Sequence, residues 1–342
     1  MKILTIFNHK GGVSKTTSTF NIGWMIASMG HKVLLVDADP QCNLTSLILG
    51  EKFDSYYENE ATKTQNIMDG VKPAYKAKME QIKPIFCPQP ENNPNLYLIP
   101  GHMNLSEYEA QLSFSFTLSP QLSTMSSLPG AFNDLIEKTA NSIEAEYIFI
   151  DMNPALSVIN EDLFLISDAF IIPTNPDSFS LMALKSLASI LPRWKAWKDS
   201  NIALFADSAY PLPAGTPKFI GQIPQRFNIR NGKPTRPYQE KIEDLKEIAL
   251  KELLPALKNA GMLFDTDAYA NAGIDTNSYI LHEIKDFQTL SPTSLQAKVP
   301  VFALTDEQLG TQGSVLEGQR KNVQAFFGIY SEIAKQIINI LK

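Results

Sequence analysis

This sequence has few cysteines and histidines and no net positive charge. Each of these features argues against a kind of site: a cysteine or histidine metal site, or a broad nucleic-acid surface. The 342 residues contain two cysteines, Cys42 and Cys87, which form no C-x-x-C pair, so we predict a reducing compartment and no cysteine metal site. The four histidines are too scattered for metal-ligand spacing. The net charge of −6 restricts any nucleic-acid contact to a local basic patch, and no apolar run approaches the ~20 residues of a membrane span.

The remaining composition is typical of a folded α/β protein. Hydrophobic residues make up 44% of the chain and charged residues 19%, which favours a large core over disorder. Because a strand begins at the amino terminus, we expect no secretory signal and a cytoplasmic protein. Since no clear linker is present, we predict one domain over residues 1–342, with insertions at about 52–94 and 239–295.

A glycine-containing turn near the amino terminus predicts an anion site. Residues 9–17 read HKGGVSKTT and lie between a short apolar strand and a helical run. Backbone N–H groups converge where such a turn enters a helix, and the helix dipole favours negative charge there. Gly11 and Gly12 let the backbone approach a phosphate, Lys15 can neutralise phosphate oxygens, and the Thr16 hydroxyl can ligate Mg²⁺.

This turn departs from the ordinary phosphate-loop pattern. G-x-x-x-x-G-K-[ST] is not met, because His9 and Ser14 stand where its two glycines would be. The pattern that is met is K-G-G-x-x-K-[ST], with an additional lysine, Lys10, near its start. Ser14 therefore requires a local backbone conformation that a small side chain tolerates.

Two further strands end in aspartates. One apolar run leads into DADPQCN at 37–43, and another, at 147–151, ends in Asp151. Ligands of doubly wound sheets bind at the carboxyl ends of the strands, so these loops are expected beside the phosphate loop. An aspartate at a strand end can instead cap the following turn, which for Asp37 is an equally good interpretation.

The alternation of strands and helices predicts the architecture. It specifies an α/β fold with a doubly wound, mostly parallel sheet and helices on both faces. Later strands are expected at 219–224 and 299–304, and a helix at 239–260. Residues 113–129 are expected to form an exposed connection. The apolar stripe of a terminal helix at 322–342 should pack on the core.

Three motifs together resemble a known superfamily. KGGVSKTT at 10–17, DADPQCN at 37–43 and DMNPA at 151–155 are similar to the ParA/MinD superfamily of deviant Walker A ATPases, and most similar to ParA-type partition ATPases. Weaker likeness extends over 95–112 and 168–187 and fades after about residue 200. The resemblance implies a P-loop NTPase fold with helical insertions.

The same resemblance implies roles for residues at matching positions. It places ATP or ADP against Lys10, Gly11, Gly12, Val13, Ser14, Lys15, Thr16, Thr17, Asp151 and, near the adenine, Pro300. Mg²⁺ is implied at Thr16, Asp39 and Asp151, partly through water. The implied catalytic residues are Lys10, Lys15 and Asp39, with Asp39 positioning or activating the attacking water. Lys10 would reach across an ATP-dependent homodimer to the partner's phosphates.

The implied function is an ATP-dependent dimerising switch. Its slow hydrolysis would be stimulated by a partner such as a centromere-binding protein, in plasmid or chromosome partition or cargo positioning on nonspecific DNA at the nucleoid. The basic residues that could contact DNA are Arg226, Arg230, Lys233 and Arg236. A second, weaker cluster is Arg193, Lys195 and Lys198. A solvated loop or helix face is the alternative interpretation of both clusters.

A different class of function stays open at this point. The chain could be a nucleotide-sensing ATPase subunit of a larger complex, for example in defence against foreign DNA, with little DNA binding of its own. Insertions often carry partner surfaces, and those at 52–94 and 239–295 motivate this alternative. The terminal helix lacks the lysine-rich face expected for anionic lipid, so we predict no membrane partner. An ordinary metabolic enzyme ranks last, since the sequence offers no acceptor site.

Overall fold

Short apolar runs form the strands of one parallel sheet in the computed structural model, which describes residues 1–76, 80–118, 125–230 and 233–342. In chain order the strands are β1 (Lys2–Ile6), β2 (Val33–Ala38), β3 (Leu96–Ile99), β4 (Tyr147–Met152), β5 (Ala169–Thr174), β6 (Lys218–Phe227), β7 (Ile229–Arg230), β8 (Lys233–Pro234) and β9 (Ile284–Lys285). Seven of them hydrogen-bond in the order β3-β2-β4-β1-β5-β6-β9, and all neighbours are parallel. β7 and β8 form a separate antiparallel pair. The predicted doubly wound α/β fold is confirmed.

Helices cover both faces of this sheet. They are α1 (Lys15–Ser28), α2 (Asn43–Leu49), α3 (Phe53–Glu58), α4 (Ile67–Tyr75), α5 (Glu109–Leu118), α6 (Ala131–Ile143), α7 (Val158–Leu165), α8 (Ser178–Asn201), α9 (Arg236–Ile248), α10 (Leu254–Asn259), α11 (Thr266–Ala272), α12 (Leu290–Ala297), α13 (Asp306–Leu309) and α14 (Gly313–Ile340). Side chains of α4, α6, α7 and α8 share one hydrophobic cluster, and those of α1, α11 and α14 share the other. Successive residues of β2 alternate between the two clusters, as the period of a strand requires.

Residues 299–304 are not a strand, so that prediction is wrong. Val301–Ala303 form a 3₁₀ turn after Pro300, and the edge of the sheet is instead the two-residue strand β9. Pro300 has no N–H to donate to a strand ladder. The Phe302 ring packs on Tyr330 of α14, with centroids 5.3 Å apart. This apolar run is therefore buried against a helix and not within the sheet.

The connection predicted at 113–129 is shorter and less exposed than expected. Helix α5 continues to Leu118, and its Phe116 ring stacks on Trp197 of α8 with centroids 3.9 Å apart. The Trp197 indole N–H also donates to the Phe116 carbonyl at 3.1 Å. Leu128 is buried as well. Residues 119–124 of the predicted connection lie outside the described part of the chain.

Both helices predicted towards the carboxyl end are present. The 239–260 segment consists of α9, a π-helical turn at Ala249–Leu253 and α10. Helix α14 begins at Gly313, earlier than predicted, and buries the apolar face that includes Phe326 and Tyr330. None of the helices in the described ranges combines the length and the hydrophobicity that a membrane span requires. One domain with insertions at 52–94 and 239–295 stays a prediction.

Candidate functional site

The predicted phosphate loop connects β1 to α1. Gly12 and Ser14 both adopt left-handed backbone conformations, with φ of 72° and 58°. Glycine tolerates this region without cost, whereas a side chain does not. Ser14 precedes the first residue of α1, and its side chain makes no capping hydrogen bond there. The first N–H groups of α1 are thus left without this cap, at the end of the helix that attracts anions.

Neighbouring strand ends anchor the loop through asparagines. The Asn8 side-chain amide donates to the Pro173 carbonyl at 2.8 Å, and its Oδ1 accepts the Lys10 N–H at 3.0 Å. The Asn175 amide donates to the Gly12 carbonyl at 3.1 Å. Sequence reasoning missed Asn8 and Asn175 as site residues. Their signal was their position within two residues of the ends of β1 and β5, at the edge of the sheet where ligands bind.

The end of β6 also contacts the loop. The Gln225 amide donates to the Val13 carbonyl at 2.8 Å and to the Ser18 hydroxyl at 3.0 Å. The Arg226 guanidinium donates to the Gly12 carbonyl at 3.1 Å. Arg226, predicted as a DNA contact, is therefore bound to the phosphate loop.

Asp37 holds the acidic loop in place. In the parallel pair of β2 and β4, Asp37 is the register partner of Asp151, so both carboxylates lie at the same edge of the sheet. Asp37 is fully buried and accepts hydrogen bonds from the N–H and hydroxyl of Thr45, at 2.8 and 2.6 Å, and from the Asp39 N–H at 3.2 Å. Burial raises the pKa of Asp37 to about 6 against these hydrogen bonds. The turn-capping interpretation of Asp37 accounts for all these contacts.

Asp151 is the carboxylate that lacks partners. Both of its oxygens are buried without a hydrogen-bond partner among the described residues. Burial, followed by the neighbouring Asp37 carboxylate, raises the pKa of Asp151 well above its ordinary value. A buried unpaired carboxylate is costly, and a bound cation would satisfy it. With the Thr16 hydroxyl, it supplies the hard oxygen donors that Mg²⁺ prefers, so these residues fit that ion.

The described residues contain no cluster of three or more acidic, histidine or cysteine side chains that could hold a metal alone. Mg²⁺ commonly takes one or two carboxylates together with the phosphates of a nucleotide. A site with few carboxylates beside a phosphate loop therefore suits a metal–nucleotide complex better than a free metal ion.

Lys15 brings a buried positive charge to the same place. It is only 7% exposed, and its Nζ donates to the Lys10 carbonyl at 3.3 Å. Burial lowers the pKa of Lys15 to about 8, while the carboxylates of Asp151 and Asp39 raise it. Asp39 is also 7% exposed, and its Oδ1 accepts the Gln41 N–H at 2.9 Å. The fold thus brings Lys15, Asp39 and Asp151 together, as the sequence predicts.

Lys10 contacts its own chain. Its Nζ lies 2.5 Å from Oδ2 of Asp177 and 3.3 Å from the Ser180 hydroxyl. Asp177 is the N-cap of α8 and accepts the Ser180 N–H at 2.7 Å. The Lys10 ammonium lowers the pKa of Asp177 against the effect of burial. The sequence did not identify Asp177, which is 167 positions away along the chain.

Exposed apolar side chains lie close, along the chain, to residues that contact Lys10 or Gly11. Phe179 and Met182, on the first turns of α8, are 71% and 67% exposed. Leu156, in the loop after β4, is 48% exposed. The Pro154 ring in that loop is 3.9 Å from where a side chain on Gly11 would begin. This apolar surface borders the phosphate loop.

A cavity of about 240 Å³ opens beside the start of α1. Its lining residues are Ser14, Thr17, Gln225, Arg226, Ile284, Lys285, Asp286, Phe287 and Ser291. Pro300, predicted near the adenine, is not among them and instead precedes the 3₁₀ turn that packs on α14. Sequence reasoning missed the 284–287 segment because β9 is too short to carry a strand pattern.

Most of the predicted DNA contacts whose side chains the structure describes are paired with acids or bound to carbonyls. Arg236 is highly exposed and pairs with Glu240 at 2.9 Å. The side chains of Arg230 and Lys233 lie outside the described part of the chain. In the second cluster, Lys198 is buried and donates to the Leu165 carbonyl at 2.6 Å. Lys195 pairs with Asp199.

Comparison with known proteins finds one family model and several relatives that match this chain. Residues 1–204, more than half of the chain, match the model of the family AAA_31, described as an AAA domain. The chromosome partitioning protein ParA of Caulobacter vibrioides is 29% identical over 194 residues, which are 56% of this chain and 63% of that protein. The matched region thus spans less than two thirds of this relative.

Two solved structures share the fold. A Cyanothece McdA variant in complex with ATP has a TM-score of 0.57 at 19% identity, over 95% of this chain and 96% of its own. A pNOB8 ParA bound to nonspecific DNA has a TM-score of 0.56 at 18% identity, over 99% of this chain and 98% of its own. These likenesses extend the fold beyond residue 204, to nearly the whole chain.

Proposed function

The chain belongs to the AAA_31 family as a ParA/MinD-type P-loop ATPase, and we propose that it is an ATP-dependent dimerising switch that hydrolyses ATP slowly with Mg²⁺. One observation carries the proposal: the buried, unpartnered Asp151 carboxylate in electrostatic contact with Lys15 at the start of α1. Lys15 and Asp151 both suit a metal–phosphate complex, which would satisfy the two buried groups together.

The chemistry divides among four groups. Lys15 and the N–H groups of the phosphate loop bind the phosphates. Thr16 and Asp151 would hold Mg²⁺, which would supply positive charge against the phosphates of the nucleotide. Asp39 orients the attacking water, and its own carboxylate is fixed by the Gln41 N–H. The Asp39 backbone is in turn held by Asp37, so the acidic loop is prearranged for this role.

The partner in the dimer is a second copy of this chain. Leu156, Phe179 and Met182 are exposed, and Phe179 is the chain neighbour of Ser180, which contacts Lys10. A second copy packed here would remove these apolar side chains from water. Lys10 would then exchange its ion pair with Asp177 for the phosphates of the partner, supplying charge in trans as an arginine finger does. Dimerisation would depend on ATP for this reason.

Partition of DNA is the role that the relatives support. The Caulobacter relative is named a chromosome partitioning protein, and the pNOB8 ParA structure contains nonspecific DNA. By analogy, this chain would act in the cytoplasm at the nucleoid, with a stimulating partner such as a centromere-binding protein. Arg236 is an exposed member of the predicted basic cluster that does not contact the phosphate loop in the described residues.

A second candidate function is favoured by the charge of one helix. The basic residues of α9 and the following turn pair with acids of the same helix, as in Lys241–Asp244, Lys246–Glu243 and Lys251–Glu247. Such a surface offers little attraction to phosphates. It suits a protein partner, as expected for a nucleotide-sensing subunit of a larger complex.

Light scattering on the Asp39→Ala protein tests the proposal. This variant should bind ATP without hydrolysing it, and should form a dimer with ATP and Mg²⁺ but not with ADP. Retention of nonspecific DNA by that dimer would support partition, whereas a dimer that ignores DNA would support the complex-subunit role. Lys15→Ala is the control and should bind no nucleotide. A monomer under every condition would refute the dimerising switch.

A further inference from the structure

The end of β6 contains a bulge, formed by Gln225, Arg226 and Phe227, beside the phosphate loop. Gln225 is the register partner of Ile284 in β9, and Phe227 that of Lys285, so Arg226 has no partner in this ladder. Arg226 is also left-handed, with φ of 62°. Bulges next to active sites redirect a side chain out of the regular ladder. Here the redirected side chain is an arginine that reaches the loop.

Two residues of the β6 bulge bind two consecutive carbonyls of the loop. Gln225 donates to Val13 and Arg226 donates to Gly12. The Gln225 side chain is 2% exposed, so its hydrogen bond is made in a largely dry environment. The Gly12 carbonyl also accepts from Asn175, so two donors from different strand ends hold the same oxygen.

These contacts determine where the loop N–H groups point. In a planar trans peptide the C=O and the following N–H lie on opposite sides. A Gly12 carbonyl held towards β6 therefore turns the Val13 N–H away from β6. A held Val13 carbonyl does the same for the Ser14 N–H. Those N–H groups are the donors that a phosphate needs at this position.

We propose that Gln225 and Arg226 are positioning residues of the nucleotide site, which prearrange the phosphate loop by holding its carbonyls. Arg226 thereby serves nucleotide binding and not DNA. The inference rests on the proposed function only in taking the loop as a phosphate site. The left-handed backbone conformation of Arg226 is less favourable for arginine than for glycine. The contact between its guanidinium and the loop is therefore made at a cost in backbone strain.

Arg226→Gly separates the effect of backbone strain on stability from the effect of the guanidinium on nucleotide binding, because it relieves the strain while removing the guanidinium. Calorimetric titration with ADP and with pyrophosphate should show both dissociation constants raised about tenfold, the loss expected for one hydrogen bond to a charged group. The unfolding temperature of the ligand-free variant should stay the same or rise. Arg226→Lys, which keeps one charged donor, should restore part of the affinity. Arg320→Ala, which removes an exposed arginine of α14 that pairs with Asp306, is the matched control and should leave both constants unchanged.

Three outcomes would overturn this assignment. Dissociation constants of Arg226→Gly within twofold of the wild type would remove Arg226 from the nucleotide site. Weakened ADP with unchanged pyrophosphate would make Arg226 a contact of the nucleoside and not a support of the loop. A lowered unfolding temperature, with neither property restored by Arg226→Lys, would make its role structural. A wild-type protein that binds neither ligand would instead refute the phosphate loop itself, and with it the proposed function.

Discussion

Ser14 occupies a backbone conformation that glycine would favour. Its φ of 58° lies in the left-handed region, where a side chain costs about 1–2 kcal/mol relative to glycine. We predict that Ser14→Gly stabilises the ligand-free protein by about 1 kcal/mol, partly offset by the greater freedom of glycine in the unfolded chain. Chemical denaturation measures this. Ser142→Gly, within α6, is the control and should destabilise by up to ~1 kcal/mol; equal effects of both changes would contradict the argument.

The ion pair between Lys10 and Asp177 should compete with dimerisation. The two side chains are 18% and 38% exposed, so the pair contributes about 0.5–1 kcal/mol after discounting for solvent. We predict that Asp177→Asn, which preserves a good N-cap for α8, lowers the protein concentration needed for the ATP dimer about tenfold, because both subunits release a lysine. Sedimentation at several protein concentrations tests this.

The matched control for that experiment lies on the same helix. Asp199→Asn removes an exposed ion pair with Lys195 near the end of α8, far along the chain from the phosphate loop, and should leave dimerisation unchanged. Weaker dimerisation of Asp177→Asn would show that Asp177 assists the dimer and does not restrain Lys10.

At the scale of elements, helix α7 carries two adjacent carboxyls, Glu161, which is half-buried, and Asp162, which is buried. Burial raises the pKa of Glu161 to about 7, against the attraction of Arg193. Asp162 is fully buried, and its oxygens have no hydrogen-bond partner among the described residues. Burial, then Glu161, raises the pKa of Asp162 as well, while Lys198 opposes this. Helix α7 follows the loop at 153–157, so these charges lie close to the candidate site along the chain.

The raised pKa of Glu161 predicts that the stability of the protein depends on pH. The folded protein retains the Glu161 proton that the unfolded chain loses at about 4.5, so stability falls as pH rises from about 4.5 to 7 and levels off above. Glu161→Gln should flatten this fall and stabilise the protein at pH 8 by on the order of 1–2 kcal/mol, allowing for partial exposure. Denaturant titrations from pH 4.5 to 8 measure it, with Glu243→Gln on α9 as control. If Glu161→Gln left the slope of stability against pH unchanged, this would contradict the burial of Glu161. Part of the slope should remain in the variant, because the raised pKa of Asp162 acts in the same direction.

At the scale of the whole molecule, the net charge of −6 limits any DNA interface. A dimer with about four phosphate contacts should lose on the order of 100-fold in affinity between 50 and 200 mM salt, since each neutralised phosphate releases counterions. We predict that DNA of any sequence is retained only with ATP and with this salt dependence, measured by fluorescence anisotropy. Arg236→Ala should weaken binding uniformly across sequences. Binding unaffected by salt or ATP would contradict a partition role.

Much of the fold was predictable from local patterns. The central strands are fully buried runs of apolar residues, and such runs are expected when helices cover both faces of a parallel sheet. The edge was not predictable in the same way. β9 has two residues, too few for a pattern, whereas the longer apolar run after Lys298 packs on α14. Apolar content shows that a segment is buried, but not whether a strand or a helix buries it.

The sequence by itself determined where the candidate phosphate loop and the carboxylates at the ends of β2 and β4 lie. Their signals are contiguous residues between a strand and a helix, and strand order brings their carboxyl ends to one edge. Only the tertiary structure decided that Lys10 pairs with Asp177, 167 positions away, and that Gln225 and Arg226 hold carbonyls of the loop from 212 and 214 positions away. Such contacts depend on how β5 and β6 lie beside β1, and on a single bulge. A local sequence pattern contains neither, because each side chain there could equally have faced solvent.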